Sequence, residues 1–199
     1  MERLHKVLDF WFGSAGGDGE ISDARQALWF GKNPETDRRI EQQFGALVRQ
    51  AVSGACREWI ASARDRLAVI ILLDQFTRNI YRDQPQSFAG DPQALQLALE
   101  GLAAGEDRQL QPIERVFLYL PLEHAEQPDL QERSVELFTA LVREVPEAQR
   151  QVFSGHLDYA IRHRDIIARF GRFPHRNKML GRGTTPEEAE FLTRPGSSF

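Results

Sequence analysis

Apolar positions recur along the chain every three or four residues, in runs punctuated by Gly, Pro, Ser, Thr and Asn rather than by hairpin turns. The pattern predicts an all-α protein. Leu4, Val7, Leu8 and Trp11 share one face of an opening helix, which Gly13 stops with a left-handed cap; Ser14 to Gly19 read as a loop. Ser22 caps a short helix carrying Trp29 and Phe30. Asn33-Pro34 then opens a longer helix, with Ile40, Phe44, Leu47, Val48 and Ala51 inward, that ends near Gly54. From Arg66 to Tyr81 the chain is apolar nearly all round, as a buried helix must be, and then turns into Asp74-Gln75-Phe76-Thr77-Arg78-Asn79. Asp91-Pro92 starts a helix with Leu95, Leu99 and Leu102 inward. Pro112 starts another, which Pro121 kinks or ends just before Glu123 and His124.

Pro128 begins a helix with Leu130, Leu137, Leu141 and Val142 inside, and Pro146 begins the last long one, running to Phe170 with His156 and His163 on a partly buried face. Gly171 caps it, Phe173-Pro174 forces extended geometry, and Arg172 to Asn177 become a turn of low backbone freedom. Thr185-Pro186-Glu187-Glu188 is a capping box that opens a short closing helix. The aromatic end, Phe199, is placed to dock on the body. Without a dividing linker, residues 1–199 are expected to form a single all-helical domain.

Two features of composition change this picture. The lone Cys56 and the lack of an apolar run of membrane-spanning length point to a soluble cytoplasmic protein with no membrane partner. The formal charge of −4 is uneven: Arg162 to Arg182 holds seven basic residues against the single acid Asp165, a local +6 that leaves −10 elsewhere. The basic turn is therefore expected to lie against the chain's own acids, around Asp74 and Glu123, and no nucleic-acid partner is expected.

The chemistry-bearing residues fall into two groups. Asp74, Arg78, Asn79, Glu123 and His124 all follow apolar helical segments, and buried charges need partners. They read either as a cleft for acid–base work or anion binding, or as an internal ion-pair network. His163, Arg172, His175, Arg176 and Asn177 form the second group, a preorganised anion pocket at the basic turn. His156 and His163 lie seven residues apart, about 10.5 Å along a helix, too far to share one ion, so no metal is expected. No phosphate loop or dinucleotide fingerprint calls for a cofactor.

Val7-Leu8-Asp9-Phe10-Trp11-Phe12-Gly13, Asp74-Gln75-Phe76-Thr77-Arg78-Asn79, Pro121-Leu122-Glu123-His124, Arg172-Phe173-Pro174-His175-Arg176-Asn177 and Pro195-Gly196-Ser197-Ser198-Phe199, in this order, resemble the bacterial family called domain of unknown function 924. Thr77 stands where that pattern usually has proline, and Ala125 and Gly183 where serine is usual. The resemblance implies a tetratricopeptide-like fold of stacked antiparallel helix pairs forming a superhelix. It carries no activity with it.

The function expected is that of a binding module holding an anionic small molecule or a peptide carboxylate, with Arg78, Asn79, His163, Arg172, Arg176 and Asn177 as ligand contacts. The alternative is an enzyme with Asp74 or Glu123 as base, His124 or His175 as acid, and the arginines as anion clamps. A homo-oligomer is compatible with either.

Overall fold

The computed structural model describes residues 2–13 and 21–198. The expected loop over Ser14 to Gly19 and the docking of Phe199 lie outside the described residues. Among those described, every regular element is a helix. They are α1 (Glu2–Phe12), α2 (Asp23–Phe30), α3 (Pro34–Val52), α4 (Ala63–Ile70), α5 (Thr77–Ile80), α6 (Asp91–Ala103), α7 (Pro112–Glu123), α8 (Pro128–Glu144), α9 (Arg150–Phe170) and α10 (Pro186–Leu192). They gather into two compact units. The first runs to Arg82 and from Gln86 to Pro121; the second takes 83–85 and everything from Leu122 onward.

The caps explain the boundaries. The Ser22 hydroxyl accepts from the Arg25 amide at α2, the Asn33 side chain accepts from two amides at α3, and the Thr185–Glu188 capping box closes at α10. Gly171, at φ +69°, ends α9 with its amide donating to the Ile167 carbonyl at 2.8 Å. Pro121 is accommodated inside α7, which stops two residues later.

In the first unit, α1 packs on α4, and α3 packs on the segment from Ile71 to Ile80. That segment departs from the uniform helix expected from Arg66 to Tyr81. Between α4 and α5, Ile71–Phe76 widens into a π-helical turn, fully buried. Side chains take the carbonyls it releases: the Thr77 hydroxyl donates to Leu73 O at 2.7 Å and Arg78 Nη1 to Asp74 O at 2.6 Å. Gly90 approaches the same Leu73 carbonyl so closely that a Cβ there would stand 2.2 Å from the oxygen. Gly90→Ala is therefore expected to destabilise the protein by about 1–3 kcal/mol in urea unfolding. Gly155→Ala, in open space on α9, should instead stabilise it by about 0.5–1 kcal/mol.

α6 turns a different face inward from the one expected, and α8 does so in part, with Leu141 buried as expected. On α6 the buried positions are Ala94, Leu97, Ala98 and Gly101, and Leu95, Leu99 and Leu102 are only half-buried. Small residues let α6 lie close to α4, and that close approach outweighs the bulk of the leucines. On α8 the buried residues are Gln131, Ser134, Phe138 and Leu141, whereas Leu130, Leu137 and Val142 are half-buried. The polar Gln131 is drawn in by main-chain carbonyls, as shown below.

In the second unit α8 and α9 pack along each other, and α10 packs on the short turn Pro174–Arg176. Ile166, Ile167 and Phe173 form a core that Phe170 and Phe191 extend. No helix among the described residues is long and apolar enough to cross a membrane.

Candidate functional site

Asp74, Arg78 and Asn79 form a network of their own in the first unit. The Asp74 carboxylate, wholly buried, accepts from Gln75 Nε2 at 2.6 Å and lies 3.2 Å from Arg78 Nη1. Arg78 also grips Asp91 bidentately, at 2.9 and 3.0 Å, in the first turn of α6. Burial opposes the Arg78 charge, but Asp74 and Asp91 beside it more than offset that and raise its pKa. Asn79 Nδ2 donates to Asp37 at 2.8 Å, and Arg82 grips the same carboxylate in the first turn of α3. These side chains join the polar end of the π segment to the starts of α3 and α6.

Glu123, His124, His163, His175 and Arg176 come together in the second unit around the buried Phe173 ring. The His163 ring meets Phe173 edge-on at 5.3 Å, His175 lies 5.7 Å from it, and the Arg176 guanidinium sits over it at 4.5 Å. His124 is 6.2 Å from His163. Glu123, His163 and Arg176 are buried, whereas His124 and His175 are half-buried and form the solvent edge.

His163 Nδ1 lies 2.8 Å from the Tyr159 carbonyl and 3.1 Å from Glu123 Oε1. Both neighbours accept, which assigns the proton to Nδ1. Burial, and then the positive charges of His124, Arg176 and His175, push the His163 pKa down to about 3, against the pull of the Tyr159 carbonyl. The imidazole is therefore neutral near pH 7, and its contact with Glu123 is a hydrogen bond rather than an ion pair. His156, two turns earlier on the same face of α9, is held at about 4 by burial alone.

The remaining arginines of the basic turn are matched locally. Arg172 grips Glu188 at 2.6 and 2.9 Å, and its hydrogen bond holds the Glu188 carboxyl down at about 2. Asn177, fully buried, donates to the same carboxylate at 3.2 Å. Arg182 grips Glu126 at 2.6 and 3.0 Å, and Arg169 grips Glu187. The acids that balance these three arginines are thus Glu126, Glu187 and Glu188. Asp74 and Glu123, where the charge pattern pointed, are engaged with Arg78 and His163 instead. Glu187 and Glu188 lie 18 and 16 residues from Arg169 and Arg172, so those two pairings close short loops at little entropic cost, whereas Glu126 is 56 residues from Arg182 and is brought to it by the packing of the unit.

Three residues of this cluster carried no signal of their own in the sequence. Phe173, which with Pro174 sets extended geometry, is also the platform of the cluster; Gln131 and Glu126, which no motif singles out, bind main-chain groups beside it. Among the described residues, no group of three or more His, Cys, Asp or Glu side chains could hold a metal ion.

No curated protein matches this sequence. The solved structure of a protein of unknown function, ATU0120 from Agrobacterium tumefaciens, is similar at 34% identity and a TM-score of 0.77, over 95% of this chain and 96% of that one. The model of the bacterial family of unknown function DUF924 matches residues 7–196, nearly the whole chain, and the chain belongs to that family.

Proposed function

We propose that the protein is a binding module that holds an anionic small molecule or a peptide carboxylate at the second unit, over Phe173 and Arg176 and between His124 and His175. One observation carries the reading. The buried Arg176 guanidinium stands over the Phe173 ring, with the half-buried imidazoles of His124 and His175 beside it at the solvent edge, so a cation and two protonatable groups meet where solvent enters. An anion entering there gains charge-assisted hydrogen bonds from the histidines when they are protonated, and attraction from a guanidinium already stacked and immobilised. Arg172 and Asn177, engaged with Glu188, act in this reading as a buttress for the turn. The Asp74, Arg78 and Asn79 network acts as a staple of the first unit. Tetratricopeptide-like pairing of helices, of which α8 and α9 would be one pair, suits a binding role. The reading places the protein in the cytoplasm, which its single buried cysteine suits.

Acid–base catalysis finds less support. His163 at about 3 is too weak a base to act near neutrality, and Asp74 is sealed from solvent. A thermal-shift screen of citrate, phosphate and carboxyl-terminal peptides tests the binding reading. At one hundred times its Kd a ligand stabilises the wild type by about 2.7 kcal/mol. That shift should vanish in Arg176→Ala and shrink in His175→Ala. Equal stabilisation of all three proteins would place the ligand elsewhere.

A further inference from the structure

The C-terminal end of α7 presents carbonyls that no turn of its own helix can satisfy, and this end carries Glu123 and His124. Gln131, in the first turns of α8 and wholly buried, points its amide at them. Its Nε2 donates to Glu123 O at 2.6 Å and Ala125 O at 2.7 Å, with Leu122 O at 3.4 Å. The remaining carbonyl of this run, that of His124, accepts from Arg176 Nη1 at 3.0 Å. The consecutive carbonyls of Glu123, His124 and Ala125 are thus taken by two side chains, and one of the two belongs to the proposed anion site.

We infer that Gln131 is the positioning residue of that site: its amide fixes the end of α7 so that Glu123 meets His163 and His124 stands beside Arg176. The inference rests on the binding reading for the importance of the site, but the geometry it claims exists without any ligand. The chemistry singles out an amide. A carboxylate at position 131 would meet the carbonyls as a like dipole, and an apolar side chain of the same volume would take the donor away from the Glu123 and Ala125 carbonyls, while Leu122 O keeps the Ala125 amide at 3.2 Å. Arg176 completes the set as a cation at a helix C-terminus, where the helix dipole favours positive charge.

The test is made on the full chain, labelled with 15N and free of added anions, by long-range proton–nitrogen correlation of the imidazoles. In the wild type, His163 should appear as the single neutral tautomer protonated at Nδ1. In Gln131→Met, which keeps the volume, that signature should give way to a mixture of tautomers, and the His124 signals should move with it. Gln131→Asn, an amide one methylene shorter, should show the same loss in part. If Gln131→Met or Gln131→Asn folds with His163 and His124 unchanged, Gln131 is only a packing residue and the inference fails. A readout that needs no variant stands beside these: the Gln131 side-chain amide protons of the wild type should exchange slowly with deuterium, and rapid exchange would overturn the clamp. A positive result here alongside failure of every anion to bind would reject the binding reading and leave the positioning intact.

Discussion

Between pH 7 and pH 4 the protein should lose roughly 6 kcal/mol of stability, half of it through each of two histidines. His163 and His156 have folded-state pKa values of about 3 and about 4, against an ordinary value of 6.5. Burial favours the neutral ring, so below pH 6.5 the unfolded chain binds protons that the folded chain refuses. Stability then rises with pH: it is fully present above about 6.5 and lost as pH falls toward the folded values. Each group contributes about 1.4 kcal/mol per pH unit across that window, or roughly 3 kcal/mol by pH 4. Against a total of about 5–15 kcal/mol for a domain, this is a large fraction of the stability. Glu188 acts in the same direction but later, because its contribution is present above 4.5 and disappears as pH falls through about 2. Urea unfolding of wild type, His163→Gln and His156→Gln at pH 7, 6, 5 and 4 measures this. Each variant should lose about one proton from the slope of stability with pH, and an unchanged slope in both would mean that neither ring is buried neutral.

Trp11→Ala should cost about 3–5 kcal/mol, the largest effect of any single side chain in the first unit. Trp11 is wholly buried and meets Phe76 and Phe117 edge-to-face at 5.3 and 5.7 Å, while its carbonyl accepts from Trp29 Nε1 at 2.8 Å. Truncation removes the largest buried ring from a set in which Phe12 and Trp29 also pack on Phe117 at 5.3 Å. Because the Trp11 indole N–H is buried without an acceptor, Trp11→Phe relieves one unsatisfied donor as it removes volume, and should cost only about 1 kcal/mol. Phe30→Ala is the contrasting case. That ring is 51% exposed although stacked on Phe117, and its loss should stay within about 1 kcal/mol. Urea midpoints followed by tryptophan fluorescence will rank the three.

Those residues also mark what the chain's pattern made legible. The inward stripe of α1 and the all-round burial of Leu67 to Leu73 follow from hydrophobic period alone, and Leu4, Val7, Leu8 and Trp11 are each at most 2% exposed. Caps at Ser22, Asn33, Gly171 and Thr185 were legible for the same local reason, since a cap depends on one residue and its immediate amides. The inner face of α6 was not, because Ala94, Ala98 and Gly101 are chosen by how near another helix comes, which periodicity does not encode. The π turn at Ile71–Phe76 was equally hidden: Gly90, distant in sequence, lies against the Leu73 carbonyl within it, and hydrophobic period does not encode that approach.

At the candidate site, residue types were legible and partners were not. Glu123, His124, His163, His175 and Arg176 stood out as polar groups bordering apolar helices, and they do meet around one ring. Which acid each arginine would find depended on geometry between turns, so Arg172 with Glu188 and Arg182 with Glu126 could not be read from spacing. Gln131 was invisible because its role is to satisfy carbonyls, and backbone groups leave no trace in a sequence.

The most direct test of the anion site is an NMR titration of the 15N-labelled protein with citrate at pH 6.5, following all five histidines. The account predicts that the His124 and His175 imidazole signals move together along one saturating curve, while those of His5 and His156 stay in place. Movement of His5 or His156 with His124 and His175 unmoved would contradict it.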